Sequence, residues 1–573
     1  MRIFIILGIF ILNIHSLPAQ KLVPADFSFR SLIAESTDSL TSSNNMRSNI
    51  VTEIILATDS TVWLGTGLGV SVIRDSLTVE TLPSSPELIE GSQDTLLPEG
   101  GISAMAASGQ GRVMLIAVAG SENDIPVGKG IAYTTNATDS VIGWEYFNQP
   151  IDKQAVNILD TAEWGGEGGA LYFAALPITV PQANVTYDIA FSDEFAWIAS
   201  WAGGLRRYKF LDNIWQRVPL PMDDQFELIT CAAINSNGDS TYIEVRNKSI
   251  VTVAPHKMFV LRDYSLNPRD PIDGGNHNHK AFSVLVYGDT IWVGTANGIN
   301  RGIIDASADY CIDWEHYSYP THGLSGNFVV GLALQMHKGK RTIWAATVNA
   351  DDATEKRGVS YTTNDGLSWN TALLGERVYN ITAHDSLVFA ATANGLWKTE
   401  DGINWARYKP AQQRIPYSTD EVLANEVYSV AFDTGDTSIW IGTGDGVAHS
   451  YDLDGENWKI FRAEYDQDEY YAYPNPFSPY THNVIGGDGY VRFHTNEWSG
   501  TFVIDIDVYN FAMEKVFTES FDRGNASSGA LKWDGRDTQG RLVNNGVYFV
   551  KLNYSENQNS KPSPHWVKLI VVK

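Results

Sequence analysis

The sequence predicts an all-β chain: a β-propeller of seven blades, with eight as the alternative, followed by a small C-terminal β-sandwich. Three observations carry that expectation. A short phrase of alternating large and small residues recurs along most of the chain, a tryptophan recurs near the end of six of its seven units, and a proline-punctuated segment then introduces a run of short alternating strands.

The phrase is an apolar residue, an aromatic, any residue, Gly or Ala, then Thr or Ser. It reads Val62-Trp63-Leu64-Gly65-Thr66, Ala196-Trp197-Ile198-Ala199-Ser200, Ile291-Trp292-Val293-Gly294-Thr295, Ile343-Trp344-Ala345-Ala346-Thr347, Val388-Phe389-Ala390-Ala391-Thr392 and Ile439-Trp440-Ile441-Gly442-Thr443, with a looser seventh copy at Met114-Leu115-Ile116-Ala117-Val118. Such alternation suits a strand with one face against a neighbouring sheet and small residues where backbone must come close. Asn297-Gly298 and Asn394-Gly395 follow two copies, the turn chemistry of a tight hairpin. Upstream lies a further apolar strand, as at Val378–Ala383 and Val427–Phe432, and downstream a fourth strand around Trp144, Trp215, Trp314, Trp369, Trp405 or Trp458. Four antiparallel strands cannot bury both faces alone, so such units stack around an axis. The intervals from Leu115 to Trp197 and from Trp197 to Trp292 are nearly twice the others. They predict excursions around residues 155–186 and 225–280 in a seven-bladed ring, with an eighth, degenerate blade as the alternative.

Composition bounds the setting. The chain has 573 residues, and 41 Lys and Arg against 67 Asp and Glu leave a net charge of −26, which excludes nucleic acid and anionic membrane surfaces as expected partners. Arg2, the apolar run Ile3–Leu12 and Ser16-Leu17-Pro18-Ala19 read as a signal peptide over residues 1–19, since the run is too short to span a bilayer. The expected domains are therefore the signal peptide 1–19, the propeller 20–465 and the sandwich 470–573. Cys231 and Cys311 are the two cysteines, and their spacing leaves open whether they pair.

Blade ends such as Thr362-Thr363-Asn364-Asp365-Gly366-Leu367-Ser368-Trp369 and Lys398-Thr399-Glu400-Asp401-Gly402-Ile403-Asn404-Trp405 resemble degenerate Asp boxes. With the strand phrases, they make the ring similar to two-component-regulator-type and Asp-box propellers. In that family's pattern the box Asp falls on Asn364 and Glu400, and the resemblance implies a folding element at the blade rim. Tyr473-Pro474-Asn475-Pro476-Phe477, Trp533-Asp534-Gly535-Arg536-Asp537, Asn545-Gly546-Val547-Tyr548-Phe549 and the terminal run Val567–Lys573 resemble, in order, the Ig-like domain of flagellar hook-capping proteins and the related type IX C-terminal sorting domains of Bacteroidetes-like bacteria. That resemblance implies an address read by the type IX export machinery, with Tyr473, Pro474, Asn475, Pro476, Gly546 and Tyr548 as its motif, and a chain that passes the periplasm to the outer cell surface or medium. Trp533–Asp537 fits the hook-capping version better, which can be a plain structural module.

Chemistry is sparsely marked. Asp273-Gly274-Gly275-Asn276-His277-Asn278-His279 sets two imidazoles beside a carboxylate but marks no third metal ligand, and Asp452-Leu453-Asp454-Gly455-Glu456-Asn457 is half of a calcium loop lacking its closing acid. Both are read as ordinary loops, so no metal, cofactor or catalytic residue is expected. No Gly-x-Ser-x-Gly elbow, phosphate loop or His-Glu-x-x-His helix occurs. Trp164 and Trp201, each beside glycines, and Arg206 are the candidate ligand-binding residues, because indole faces stack on the apolar faces of sugars. The functional expectation is a non-catalytic surface protein whose ring binds a glycan or a protein. The alternative is a secreted polysaccharide hydrolase using a carboxylate pair on the propeller face, although no motif selects the pair.

Overall fold

The computed structural model describes residues 46–573 apart from the stretches 152–160, 165–170, 175–183, 221–228, 232–240, 246–250, 254–257, 260–277, 464–469, 481–488, 495–502, 523–530 and 556–562 and shorter pieces of connecting chain. The expected signal peptide, His277, His279, Asp454 and Glu456 lie outside the described residues. The described elements are strands, and no helix among the described residues is long and apolar enough to cross a membrane.

Each copy of the phrase is the second strand of an antiparallel sheet with four strands in sequence order, and the sheet carrying Met114–Val118 adds a fifth, Gln93–Asp94, at its outer edge. Among the described residues, seven such sheets occur. Their innermost strands are Val51–Leu56, Gly101–Ser108, Thr186–Phe191, Ala281–Tyr287, Phe328–His337, Val378–His384 and Val427–Asp433. Each innermost strand packs against the next, and the seventh packs against the first, so the sheets form a closed, propeller-like ring. The two overlong intervals hold separate three-stranded sheets, one around Thr161–Trp164 and Leu171–Ala174, the other over Ile229–Cys231, Thr241–Val245 and Val251–Val253. The strand carrying Cys231 lies beside the strand Ala308–Tyr317 that carries Cys311, and the two thiol side chains are outside the described residues.

The phrase now has a physical reading at each position. Its aromatic is buried and packs across to the following sheet: Trp63 meets Trp144, Trp292 meets Trp369 and Trp344 meets Trp405 edge to face, with centroids 6.4, 6.0 and 6.0 Å apart. Each such pair is worth about 0.5–1.5 kcal/mol beyond the area it buries. The small residue lies where the next innermost strand crosses. A Cβ on Gly65 would strike Ile102, one on Gly294 would strike Val329, and one on Gly442 would strike Val51. The closing Thr locks the hairpin turn. Thr66, Thr392 and Thr443 donate Oγ1–H to the carbonyls of Gly69, Gly395 and Gly446 at 2.8 Å and accept from the N–H groups of Leu68, Asn394 and Asp445.

The rim turns correct one expectation. In the fifth sheet Asn364 Oδ1 accepts the Ser368 N–H at 3.0 Å, as the Asp-box alignment implied, but in the sixth the acceptor is Asp401 and not Glu400. Asp401 takes the N–H groups of Ile403 and Asn404 at 2.8 and 2.7 Å, and these bonds lower its pKa to about 2. The second turn is one residue shorter between Thr and Gly, which shifts the carboxylate role to Asp401.

Beyond residue 470, a sheet of Tyr471–Tyr473, Val491–His494 and Lys532–Trp533 and a sheet of Lys515–Asp522, Val503–Tyr509, Gly546–Ser555 and Ser563–Val571 enclose a common apolar core that includes Phe477, Phe493, Ile506, Trp533, Tyr548 and Leu569. The motif residues hold this unit together. Asn475 exchanges two hydrogen bonds with the last strand, at 2.8 Å to Lys568 O and 2.9 Å from Ile570 N, and fully buried Phe477 pairs with Val571. Pro476 is exposed, Tyr548 is buried and donates its hydroxyl to Asn544 O at 2.7 Å, and Gly546 begins the third strand of the larger sheet. Pro474 and the Tyr473 side chain are outside the described residues.

The seam between the last and first sheets is made by Ser429, which donates to Val51 O at 3.4 Å, by Gly446 N–H to Asn49 O at 2.6 Å, and by Ala463 N–H to Asn49 Oδ1 at 2.7 Å. Gly442→Ala places its methyl against Val51 and Ser429 in that seam and is expected to cost about 1–3 kcal/mol. Gly143→Ala, where a Cβ meets nothing within 4 Å, is the control and should be near neutral. Denaturant melts of the two variants check this, and equal stabilities would contradict the close approach.

Candidate functional site at the axial mouth

All seven innermost strands carry a bulge at the same position. Pairing with the phrase strand skips Thr52, Ser103, Tyr187, Phe282, Val330, Tyr379 and Tyr428 in turn. A bulge leaves its extra residue out of the ladder and re-aims its side chain. Here the seven extra residues form a collar where the innermost strands begin. Members from adjacent sheets touch: Tyr379 lies against Tyr428 with centroids 5.2 Å apart, and Tyr187 against Phe282 at 5.1 Å. Phe282 continues to Phe328 at 4.3 Å. The Arg377 guanidinium sits 4.9 Å from the Tyr379 ring centre. Burial pushes the hydroxyls of Tyr187 and Tyr428 well above the usual phenol range, so both remain donors at any physiological pH.

The residue after each bulge stands opposite the small residue of the phrase: Glu53 faces Gly65, Asp188 faces Ala199, Ser283 faces Gly294, Asn380 faces Ala391 and Ser429 faces Gly442. Several of these side chains reach the open edge of the next innermost strand. Asp188 Oδ2 accepts Val284 N–H at 2.8 Å, Ser283 donates to Val329 O at 3.3 Å, and Ser429 donates to Val51 O at 3.4 Å. The bulge residue Thr52 does the same to Ile102 O at 2.9 Å. Asp188 takes a second bond from its neighbour Ile189 N–H at 2.8 Å.

Glu53 is the exception. No described residue hydrogen-bonds or ion-pairs with its carboxylate, although it occupies the position from which Asp188 and the serines bridge to the next sheet. Protein surrounds both carboxylates while each keeps some accessible surface, as befits groups lining the axis of a ring. Desolvation raises Glu53 well above the usual carboxylate range, and the charge of Asp188 raises it further. Desolvation also lifts Asp188 to about 7, against the opposing pull of its two backbone hydrogen bonds.

Of the residues singled out in the sequence, Trp201 comes to this mouth. Its backbone N–H bonds to Val185 O at 3.3 Å beside Tyr187, its half-buried ring packs against the Phe282 and Phe328 cluster, and Lys280 Nζ lies 5.3 Å from the ring centre. Arg206, expected on an exposed loop, is instead buried on the strand Gly204–Lys209 between Ile198 and Arg217. Trp164 ends a strand paired with Leu171, and its side chain is outside the described residues. Glu53, Asp188 and the aromatic collar were not singled out from sequence. The repeat alignment held their only signal: Glu53 and Asp188 fall where other repeats place Ala, Ser, Gly or Asn. Among the described residues no group of three or more His, Cys, Asp or Glu is placed to hold a metal.

Glu53 and Asp188 retain protons in the folded chain at pH values where unfolded carboxylates have lost them. Stability should therefore fall as pH rises from about 4 toward 7. Glu53→Gln removes one of these charges, so its melting temperature should match the parent near pH 4 and exceed it by a few degrees, roughly 2–4 °C per kcal/mol, above pH 7. A difference that stays constant with pH would count against the enclosed carboxylate.

No known protein family and no curated protein matches the chain. Solved structures do align with it. The extracellular domain of a hybrid two-component system from B. thetaiotaomicron is 13% identical over 91% of this chain and 80% of its own, with a TM-score of 0.25. PorZ, a surface component of the type-IX secretion system of Porphyromonas gingivalis, is 11% identical over 91% and 87%, with a TM-score of 0.19. The WD40 β-propeller domain of Doa1 is 11% identical over 70% and 94%, with a TM-score of 0.26. These scores are all low, and the ring described above stands on the chain's own strand order.

Proposed function

We propose that this chain is an exported, non-catalytic surface protein whose seven-bladed propeller binds a glycan at the axial mouth, and whose Ig-like C-terminal domain directs it through type IX secretion. The observation that carries the binding reading is the collar itself. Three of the seven bulged positions hold a partly exposed tyrosine, Tyr187, Tyr379 and Tyr428, each at a residue left out of the ladder. Aromatic faces beside hydroxyl donors suit the alternating apolar and polar surfaces of a sugar. The seven sheets closing on one another support seven blades, and the sharing of one core by the two C-terminal sheets supports a sandwich.

A glycan array probed with the full chain is expected to yield a bound class, and Tyr428→Ala with Tyr379→Ala should weaken it by about tenfold, the scale of one or two lost aromatic contacts. An array with no bound glycan removes the reading. The Glu53 and Asp188 pair favours a second reading, a polysaccharide hydrolase. Product release from a polysaccharide that stops on Glu53→Gln would establish that reading in place of the first.

The sorting proposal rests on the order of the motif residues and on their role in one folded unit. Deleting residues 470–573 should leave the ring in the periplasm of a type IX-competent host, whereas the full chain should be open to protease added outside the cell. Surface display of the truncated chain would refute it.

A further inference from the structure

We infer that the axial mouth takes a ligand bearing a protonated amine, held by Glu53, and that within the glycan reading this ligand is a saccharide of free amino sugars rather than N-acetylated ones. The inference rests on that reading and specifies its substrate class. Four of the seven innermost strands spend a side chain at or beside the bulge on bridging to the next strand, and Asp188 meets two backbone N–H groups there. Glu53 has the reach to project past that edge and has no partner among the described residues. A carboxylate enclosed by protein, with a second carboxylate near enough to repel it, is costly unless a cation arrives.

The surroundings select the kind of cation. Calcium would require six to eight oxygen ligands, and no set of three candidate metal-ligating side chains is assembled among the described residues. Aromatic rings instead furnish the collar on nearby sheets: Tyr428 on the sheet that closes against that of Glu53, and Tyr187 two sheets away. An ammonium group is stabilised both by a carboxylate and by ring faces, whereas a hydrated metal ion is not. The charged groups around the collar are Glu53, Asp188 and Glu426 against Arg377, which is engaged over Tyr379, and Lys280, which is engaged over Trp201.

The test is calorimetric titration of the full chain with a tetramer of glucosamine and with a tetramer of N-acetylglucosamine near pH 6, where the amine is protonated. The inference expects the glucosamine tetramer to bind at least tenfold more tightly, and Glu53→Gln to abolish that preference. Tyr428→Ala should weaken both tetramers while keeping the preference. Equal affinities, tighter binding of the acetylated tetramer, or a preference that survives Glu53→Gln each overturns it while leaving glycan binding in place. Absence of binding by the glucosamine tetramer overturns it outright, and if the array is also blank the glycan reading falls with it. Because Glu53→Gln preserves size and removes a desolvated charge, a folded variant is expected, and the melting comparison above verifies it.

Discussion

The constraint on which this architecture depends is the open edge of the innermost strand. Four strands in sequence order leave the first with a row of backbone groups facing the axis and no strand to pair with them. The ring meets that demand from the side. Each sheet presents a small residue, Gly65, Gly294 or Gly442 among them, so that the next innermost strand can come within reach, and then supplies Thr52, Asp188, Ser283 or Ser429 to bond its edge. Close approach and edge bonding are one device, since a Cβ at the glycine would hold the strands too far apart for the short side chains to span.

The collar follows from the same device. Inserting one extra residue per innermost strand turns the following side chain toward the neighbouring sheet, and it leaves the extra residue free of the ladder. Closure of the ring thus creates seven positions outside the ladder, of which Phe282 is taken up by core packing. In this chain they hold Thr52, Ser103, Tyr187, Phe282, Val330, Tyr379 and Tyr428, mixed hydroxyl and aromatic groups around an axis that passes beside two carboxylates. Asp188 and Glu53 stand at equivalent positions and differ by one methylene. The shorter acid is used as a staple, and the longer one has no hydrogen-bond or ion-pair partner among the described residues.

The blade phrase was legible because its letters obey local rules. Alternation marks a strand, Thr before a glycine turn marks a hairpin, and tryptophan at regular spacing marks stacked sheets. The excursions were also legible, as intervals too long for one blade. Trp201 packs against the Phe282 and Phe328 cluster, whereas Arg206 was misplaced: Gly203-Gly204 suggested a loop continuing through it, but the strand resumes at Gly204 and buries its guanidinium. The shift of the rim acceptor from Glu400 to Asp401 has a similar cause, a turn whose length only backbone hydrogen bonds define.

By itself, then, the sequence determined an all-β repeat, its strand order, its excursions and the order of motifs in the final unit, because periodicity, turn residues and burial patterns act over a few residues. The tertiary structure alone decided which residues stand around the axis. A bulge cannot be read from a single strand, since it is a property of pairing, and Thr52, Tyr187 and Tyr428 are ordinary strand residues until the partner register skips them. The setting of Glu53 is likewise invisible in sequence: it arises only when ring closure brings the first sheet and the sheet of Asp188, more than a hundred positions on, to one axis.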